Sequence, residues 1–330
     1  MKIIIDKAIP FIKGVFEPHC SVEYLDGDKF TAQRVADASA LLIRTRTRCN
    51  KELLEGSSVS HIATATIGFD HIDTAYCNAN GIGVSTAAGC NARAVLQWFG
   101  AVVAHLSSTQ GWNPQERVLG VVGVGNVGSL VCQYAKAWGF EVICCDPPRK
   151  EREGGDFVSF EELASRADII TLHTPLSPTT HHLINAQTLR LISPRCIILN
   201  SSRGEVVETK ALTESGNKFV LDVWENEPNI DPRALEQAEL ATPHIAGYSL
   251  QGKANASTMA VQNIARALRL PLTTWQSDVE GVEPKLISWD NLCKSIDQRF
   301  DIEAQSDYLK AHAEQFEELR NNYNYREEYF

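Results

Sequence analysis

Short apolar runs recur along this chain, separated by segments whose apolar residues fall at helical spacing. In the first part the runs are KIIID (2–6), SVEYL (21–25), ALLIRT (40–45), HIATAT (61–66) and GVSTA (83–87). Each is bounded by polar or glycine-containing sequence, the pattern of a buried strand. Stretches such as TAQRVADA and NKELLEG lie between them and predict helices. Strands alternating with helices predict a parallel sheet, because parallel neighbours need a crossover long enough to hold a helix. A long helical segment, NARAVLQWFGAVVAHL (91–106), precedes a second series: RVLGVV (117–122), EVICCD (141–146), ADIITLH (167–173), RCIILNSS (195–202) and KFVLDV (218–223). The pattern therefore predicts an α/β protein with two doubly wound parallel-sheet domains. A helix over 249–269 is expected to return the chain to the first domain. Beyond about residue 285 the sequence turns polar and acidic, with Leu309, Phe316, Leu319 and Tyr323 at helical spacing.

Length agrees with this plan, since 330 residues can form two cores. No apolar run approaches the roughly 20 residues that span a bilayer, and the N-terminus MKIIIDKAIPF lacks the features of a signal peptide. Nine cysteines without a C-x-x-C pair read as reduced thiols, so the expected location is cytoplasmic. The adjacent Cys144 and Cys145 are expected on opposite faces of one strand. A net charge of −10 argues against nucleic acid and anionic membrane as partners. An anionic ligand must then be met by local arginines. No metal-ligand cluster is apparent, and none is expected.

GVGNVG carries the first chemistry. Gly123, Gly125 and Gly128 follow an apolar strand and open a helix, where they allow a tight turn, approach of a pyrophosphate, and close packing of helix on strand. Asp146 lies 18 residues after Gly128, at the end of the next strand. Its carboxylate can accept ribose hydroxyls and would repel a 2′-phosphate, which favours NAD over NADP, although Arg149 in DPPRK can offset that repulsion. Further strand ends carry HTPL (173–176), LNSSRGEVVE (199–208), DVWENEP (222–228) and TPHIAGYSL (242–250). A lone histidine such as His244 is ordinarily a packing or capping group. With Arg203 and Glu227 at neighbouring strand ends, a division of labour is available. Arginine holds a carboxylate, histidine takes a hydroxyl proton, and glutamate orients the histidine.

In that order these motifs resemble the D-isomer-specific 2-hydroxyacid dehydrogenases. TATIGFDHID (64–73), AAGCNARAV (87–95), CDPPR (145–149) and HIAGYSLQGKA (244–254) are similar to one branch of that family. The resemblance implies NAD-dependent oxidation of 4-phospho-D-erythronate to (R)-3-hydroxy-2-oxo-4-phosphooxybutanoate, a step toward pyridoxal 5′-phosphate (vitamin B6). It implies catalysis by Arg203, Glu227 and His244, with His244 as acid and base, and substrate contacts at Thr45, Thr66 and Tyr248. NAD contacts are implied at Gly123, Gly125, Asn126, Val127, Gly128, Asp146, Thr174, Ser201, Ser202, Arg203, Asp222 and Gly247.

The same resemblance implies a Rossmann NAD-binding domain (96–245) inserted in a flavodoxin-like substrate domain (1–95 and 246–284). A short α-rich dimerisation segment (285–330) would follow, giving a homodimer. Relatives are expected to continue past the position of Phe330, so this segment is expected to be reduced or cut short. Rival readings are a dehydrogenase of another 2-hydroxy acid, such as glycerate or 3-phosphoglycerate, and a non-catalytic NAD-sensing module. Finally, IRTRTRC (43–49) predicts an extended stretch with Arg44, Arg46 and Arg48 on one face and Thr45 and Thr47 on the other. That face would be ready for a phosphate, or simply solvated.

Overall fold

The computed structural model describes residues 1–330 and divides into two compact units, Met1–Asn91 with Leu250–Gly281, and Ala92–Ser249 with Val282–Phe330. In the first unit, strands β1 (Lys2–Asp6), β2 (Ser21–Leu25), β3 (Ala40–Ile43), β4 (His61–Thr64) and β5 (Gly83–Thr86) pair in parallel in the order β2-β1-β3-β4-β5. This is the flavodoxin-like order. One face of the sheet packs Ile3, Ile5, Leu42 and Ala63 on Ala260, Val261 and Ile264 of the helix Leu250–Leu268. The other face packs Ile4, Leu41, Ile43 and Ile62 among Val35, Leu53 and Cys77. Burial on both faces explains why these strands read as nearly unbroken apolar runs.

In the second unit, β6 (Val118–Val122), β7 (Glu141–Cys145), β8 (Ile169–Leu172), β9 (Ile197–Asn200), β10 (Lys218–Leu221) and β11 (Leu240–Ala241) form a parallel sheet ordered β11-β10-β9-β8-β6-β7. A parallel bridge from Cys144 to Phe157 lies beyond β7. If it is counted as a vestigial strand, this edge through β10 has the 3-2-1-4-5-6 order of a Rossmann dinucleotide-binding fold, and β11 adds a seventh strand beside β10. Cys144 and Cys145 do face opposite layers of this unit, and all nine cysteines are free thiols.

One local expectation is corrected. ALLIRT does not continue as strand through Thr45. The Thr47 amide donates to the Arg44 carbonyl (3.3 Å), closing a turn that replaces the extended alternation of arginines and threonines. Thr47 is buried and its hydroxyl donates to the Gly27 carbonyl (3.0 Å), while Arg44 Nη1 donates to the Ala8 carbonyl (3.3 Å). The single arginine face therefore does not form. Strand β11 has only two residues, too few to show a periodicity, and its place in the sheet was not foreseen.

The acidic tail forms helices Trp289–Arg299, Ile302–Ala311 and Phe316–Asn321 within the second unit. Leu292, Ile296, Phe300, Ile302 and Phe330 are buried in the core around the helix Ala92–Gln110, and Leu309 and Phe316 in the core on the opposite side of the sheet.

Candidate active site

The turn after β6 meets the demands of a dinucleotide cradle. Gly123 has φ +84°, and a Cβ there would lie 2.7 Å from the His173 carbonyl oxygen. At Gly128 a Cβ would lie 2.0 Å from the Gly123 carbonyl oxygen, so only glycine lets the helix Asn126–Trp138 approach the turn. Gly125 differs: nothing occupies the space within 4 Å of its Cβ position, and it caps the helix without any side-chain hydrogen bond. The first-turn amides, beginning at Asn126 and Val127, thus face an open approach suited to a pyrophosphate.

Asp146 ends β7 and caps the helix Pro147–Glu153. One oxygen accepts from the Arg149 amide (3.0 Å), and the other from the Val124 amide (2.8 Å) of the glycine turn. A carboxylate offers about four acceptor sites, so ribose hydroxyls can be added to these two bonds. The guanidinium of Arg149 is already engaged. It donates to the Val124 carbonyl (2.7 Å) and pairs with Glu153 through Nη2 (2.6 Å).

At the ends of β8 and β9, the hydroxyls of Thr174 and Ser201 are buried without a hydrogen-bond partner. Buried polar groups are rarely left so, and a bound nucleotide would satisfy them. The cradle and these hydroxyls fit NAD.

Beside this cradle, the loops after β9, β10 and β11 gather the catalytic candidates. Asn200 shapes the first loop, accepting from the Ser202 amide (3.0 Å) and hydroxyl (2.8 Å) and donating to the Arg203 carbonyl (2.8 Å). Arg203 Nη1 donates to the Ser202 carbonyl (2.7 Å). A Cβ on Gly204 would lie 2.0 Å from the Trp224 carbonyl oxygen, so this loop is pressed directly on the loop that carries Glu227.

Asp222 is 1% exposed, and its carboxylate accepts from the Thr242 hydroxyl (2.6 Å), the Ile245 amide (2.8 Å) and the Ala246 amide (3.0 Å). Burial pushes its carboxyl up, against the pull of His244 and of these donors. The Asp222 side chain thereby holds the His244 loop. The Ser202 hydroxyl is likewise turned inward to Asn200.

His244 sits at φ +58°, which non-glycine residues seldom adopt. Its amide donates to the Asp222 carbonyl (2.8 Å), and its Nδ1 lies 2.7 Å from Glu227 Oε2. Glu227 Oε1 accepts from the Trp224 amide (2.9 Å). Burial alone would raise the Glu227 carboxyl, but the charge and hydrogen bond of His244, with Arg320 and the Trp224 amide, hold it below the ordinary glutamate range.

Gly247 and Tyr248 follow on the same loop, and the Tyr248 hydroxyl accepts from Arg320 Nε (3.3 Å). Thr45 and Thr66 belong to the first unit. Thr45 is exposed in the turn after β3, and the Thr66 hydroxyl, just beyond β4, donates to the Gly68 carbonyl (2.9 Å). Arg320 was not foreseen, because it lies far from every motif in sequence.

Residues 92–246 match the family described as D-isomer specific 2-hydroxyacid dehydrogenase, NAD binding domain. The chain belongs to this family and is an NAD-dependent oxidoreductase. Within it, the chain is 44% identical to the erythronate-4-phosphate dehydrogenase of Bacteroides fragilis over 339 aligned residues, covering 99% of this chain and 97% of that protein. The enzyme of the same name from Pectobacterium carotovorum is 37% identical, with 100% and 92% covered.

Among solved structures, D-lactate dehydrogenase from Aquifex aeolicus with NAD and lactic acid superimposes with a TM-score of 0.70. That pair shares 23% identity and covers 85% of this chain and 100% of the other. NAD-bound 3-phosphoglycerate dehydrogenase from Entamoeba histolytica gives 0.70 at 22% identity, covering 86% and 99%. At such identities these two likenesses establish the fold.

Proposed function

We propose that this chain oxidises 4-phospho-D-erythronate at C2 to (R)-3-hydroxy-2-oxo-4-phosphooxybutanoate. This would make it a contributor to pyridoxal 5′-phosphate synthesis. The observation that carries the reading is the 2.7 Å pair of His244 and Glu227 beside a cradle fitted to NAD. The substrate comes from the named activity of relatives matched over nearly the whole chain.

Bound NAD supplies the acceptor for the hydride that leaves C2. His244 Nε2 takes the C2 hydroxyl proton, and Glu227, accepting the Nδ1 hydrogen, stabilises the imidazolium that results. Arg203 holds the substrate carboxylate through its planar fork, which fixes C2 against the base. Gly123, Gly125, Asn126, Val127 and Gly128 would hold the pyrophosphate and Asp146 the ribose, while Thr174, Ser201, Ser202, Arg203, Asp222 and Gly247 would contact the rest of the cofactor.

Thr45, Thr66 and Tyr248 are assigned to substrate contact. In the same reading 1–95 with 246–284 bind substrate and 96–245 bind NAD. Residues 285–330 join two copies in a cytoplasmic homodimer, which size-exclusion chromatography with light scattering tests.

The assay is NADH formation from 4-phosphoerythronate, glycerate and 3-phosphoglycerate, with a 2-oxo acid added to recycle bound cofactor. The reading expects kcat/KM for 4-phosphoerythronate to exceed that for glycerate by at least about a hundredfold, since an anion-binding site left unfilled costs on the order of 3 kcal/mol, and to exceed that for 3-phosphoglycerate, whose phosphate sits one carbon nearer C2. Equal or better use of glycerate would overturn the substrate, and NAD binding without any turnover would overturn the enzyme reading.

A further inference from the structure

Arg320 is the one cation of the C-terminal helices that reaches the acid/base pair. It lies on the helix Phe316–Asn321, and its Nη1 is 3.5 Å from Glu227 Oε2, the same oxygen that His244 engages. Its Nε donates to the Tyr248 hydroxyl at 3.3 Å. Tyr248 is itself held edge-on by Tyr323 and Tyr325, with ring centroids 6.2 and 6.1 Å away. The bond from Arg320 is accepted by the phenol oxygen and, with the two rings, fixes where the Tyr248 hydroxyl sits. The two contacts place one guanidinium between the carboxylate that supports the base and the tyrosine assigned to the substrate.

We propose that Arg320 is a positioning residue of this site, one that draws on Glu227 to weaken its hold on protonated His244 and aims the Tyr248 hydroxyl at a substrate oxygen. The inference rests on the dehydrogenase reading above. Among the charged and titratable groups around the pair, Glu227 faces His244 and Arg320, His244 also faces the buried Asp222, Arg320 faces Tyr248, Glu227 and Asp222, and Arg203 lies on the loop pressed against that of Glu227. A cation this close to Glu227 makes the pair give up its proton more readily. Removing the cation therefore makes protonation of the base easier and moves the acid limb of the rate profile toward higher pH. A purely structural ion pair that pins the tail would change stability and leave that limb in place.

The test compares pH profiles of kcat/KM for wild type, Arg320→Gln and Arg320→Lys, with folding checked by circular dichroism and NAD binding. The wild-type assay comes first and fixes the substrate. If it uses glycerate or 3-phosphoglycerate instead, the substrate reading fails and the Arg320 comparison runs on that acid. No turnover of any of the three overturns both.

Arg320→Gln should move the acid limb up by about one pH unit, as loss of a charge at this range does. It should also raise KM by roughly tenfold, as loss of one charge-assisted contact does. Arg320→Lys, which keeps the charge and loses the fork, should leave the limb in place and still raise KM. On a Tyr248→Phe background, Arg320→Gln should add little to KM and still move the limb. A folded Arg320→Gln with an unmoved limb overturns the proposal. Should that variant not fold, Arg320→Lys decides alone, and wild-type KM in it overturns the proposal.

Discussion

His244 is the residue where backbone and chemistry are most tightly joined. Its left-handed φ of +58° persists because its own amide and the next two are tied to Asp222. Backbone strain of this kind is maintained where the surroundings over-determine it, often at functional sites. His244→Gln should lower kcat by about 10²–10⁴, the usual worth of a positioned base, with NAD affinity by fluorescence quenching within about twofold of wild type. Retained turnover would remove His244 from the chemistry.

Glu227 gives a stability test with a defined sign. Because its native carboxyl is held below the ordinary glutamate range, the native state favours the ionised form. Its contribution is present above the unfolded-state value and is lost as pH falls through the native one. Urea unfolding should find the advantage of wild type over Glu227→Gln largest near neutral pH and shrinking in acid. A constant difference across that window would contradict the assignment.

Asp146 tests cofactor choice. Asp146→Ala should weaken NAD and narrow its margin over NADP, and it should also cost about 1 kcal/mol as a lost helix cap. An unchanged NAD/NADP ratio would shift the preference to another group.

At the level of elements, the loop after β11 owes its shape to a carboxylate on the neighbouring strand's loop. Asp222→Ala would strand the Thr242 hydroxyl and the Ile245 and Ala246 amides together in a buried place. A loss on the order of 3 kcal/mol in urea unfolding is expected, with a matching fall in kcat as His244 loses its posture. Wild-type stability would show that water replaces the carboxylate.

The sheets themselves were legible in sequence, because strands buried on both faces leave continuous apolar runs, and the glycine cradle was legible because its spacing is steric. The order of motifs named the strand ends that carry Arg203, Glu227 and His244. Other features left no local trace. The turn at Arg44 is set by bonds to Ala8 and Gly27, and Asp222 turns inward because of amides more than twenty residues ahead. Arg320 meets Glu227 across a sequence separation of 93, beyond any periodicity.

At the scale of the whole chain, the C-terminal helices are part of the NAD-binding unit's own structure. Arg93 Nε donates to the Phe330 carbonyl (3.2 Å), Tyr134 to the Lys285 carbonyl (2.9 Å) and the Trp138 indole to the Ile287 carbonyl (2.9 Å). Phe330 lies against Tyr134 and Trp138 in the core, so the tail closes an apolar surface that also supports the cofactor helix.

In the proposed reaction a hydride passes from C2 of 4-phosphoerythronate to NAD in a site built around His244 and Glu227. The most direct measurement uses 4-phosphoerythronate deuterated at C2, with wild type and His244→Gln, and reads the reduced cofactor by mass spectrometry. Wild type should place one deuterium in the reduced nicotinamide, and the variant should form almost no reduced cofactor. Reduced cofactor without deuterium, or equal labelling by the variant, would contradict that reaction.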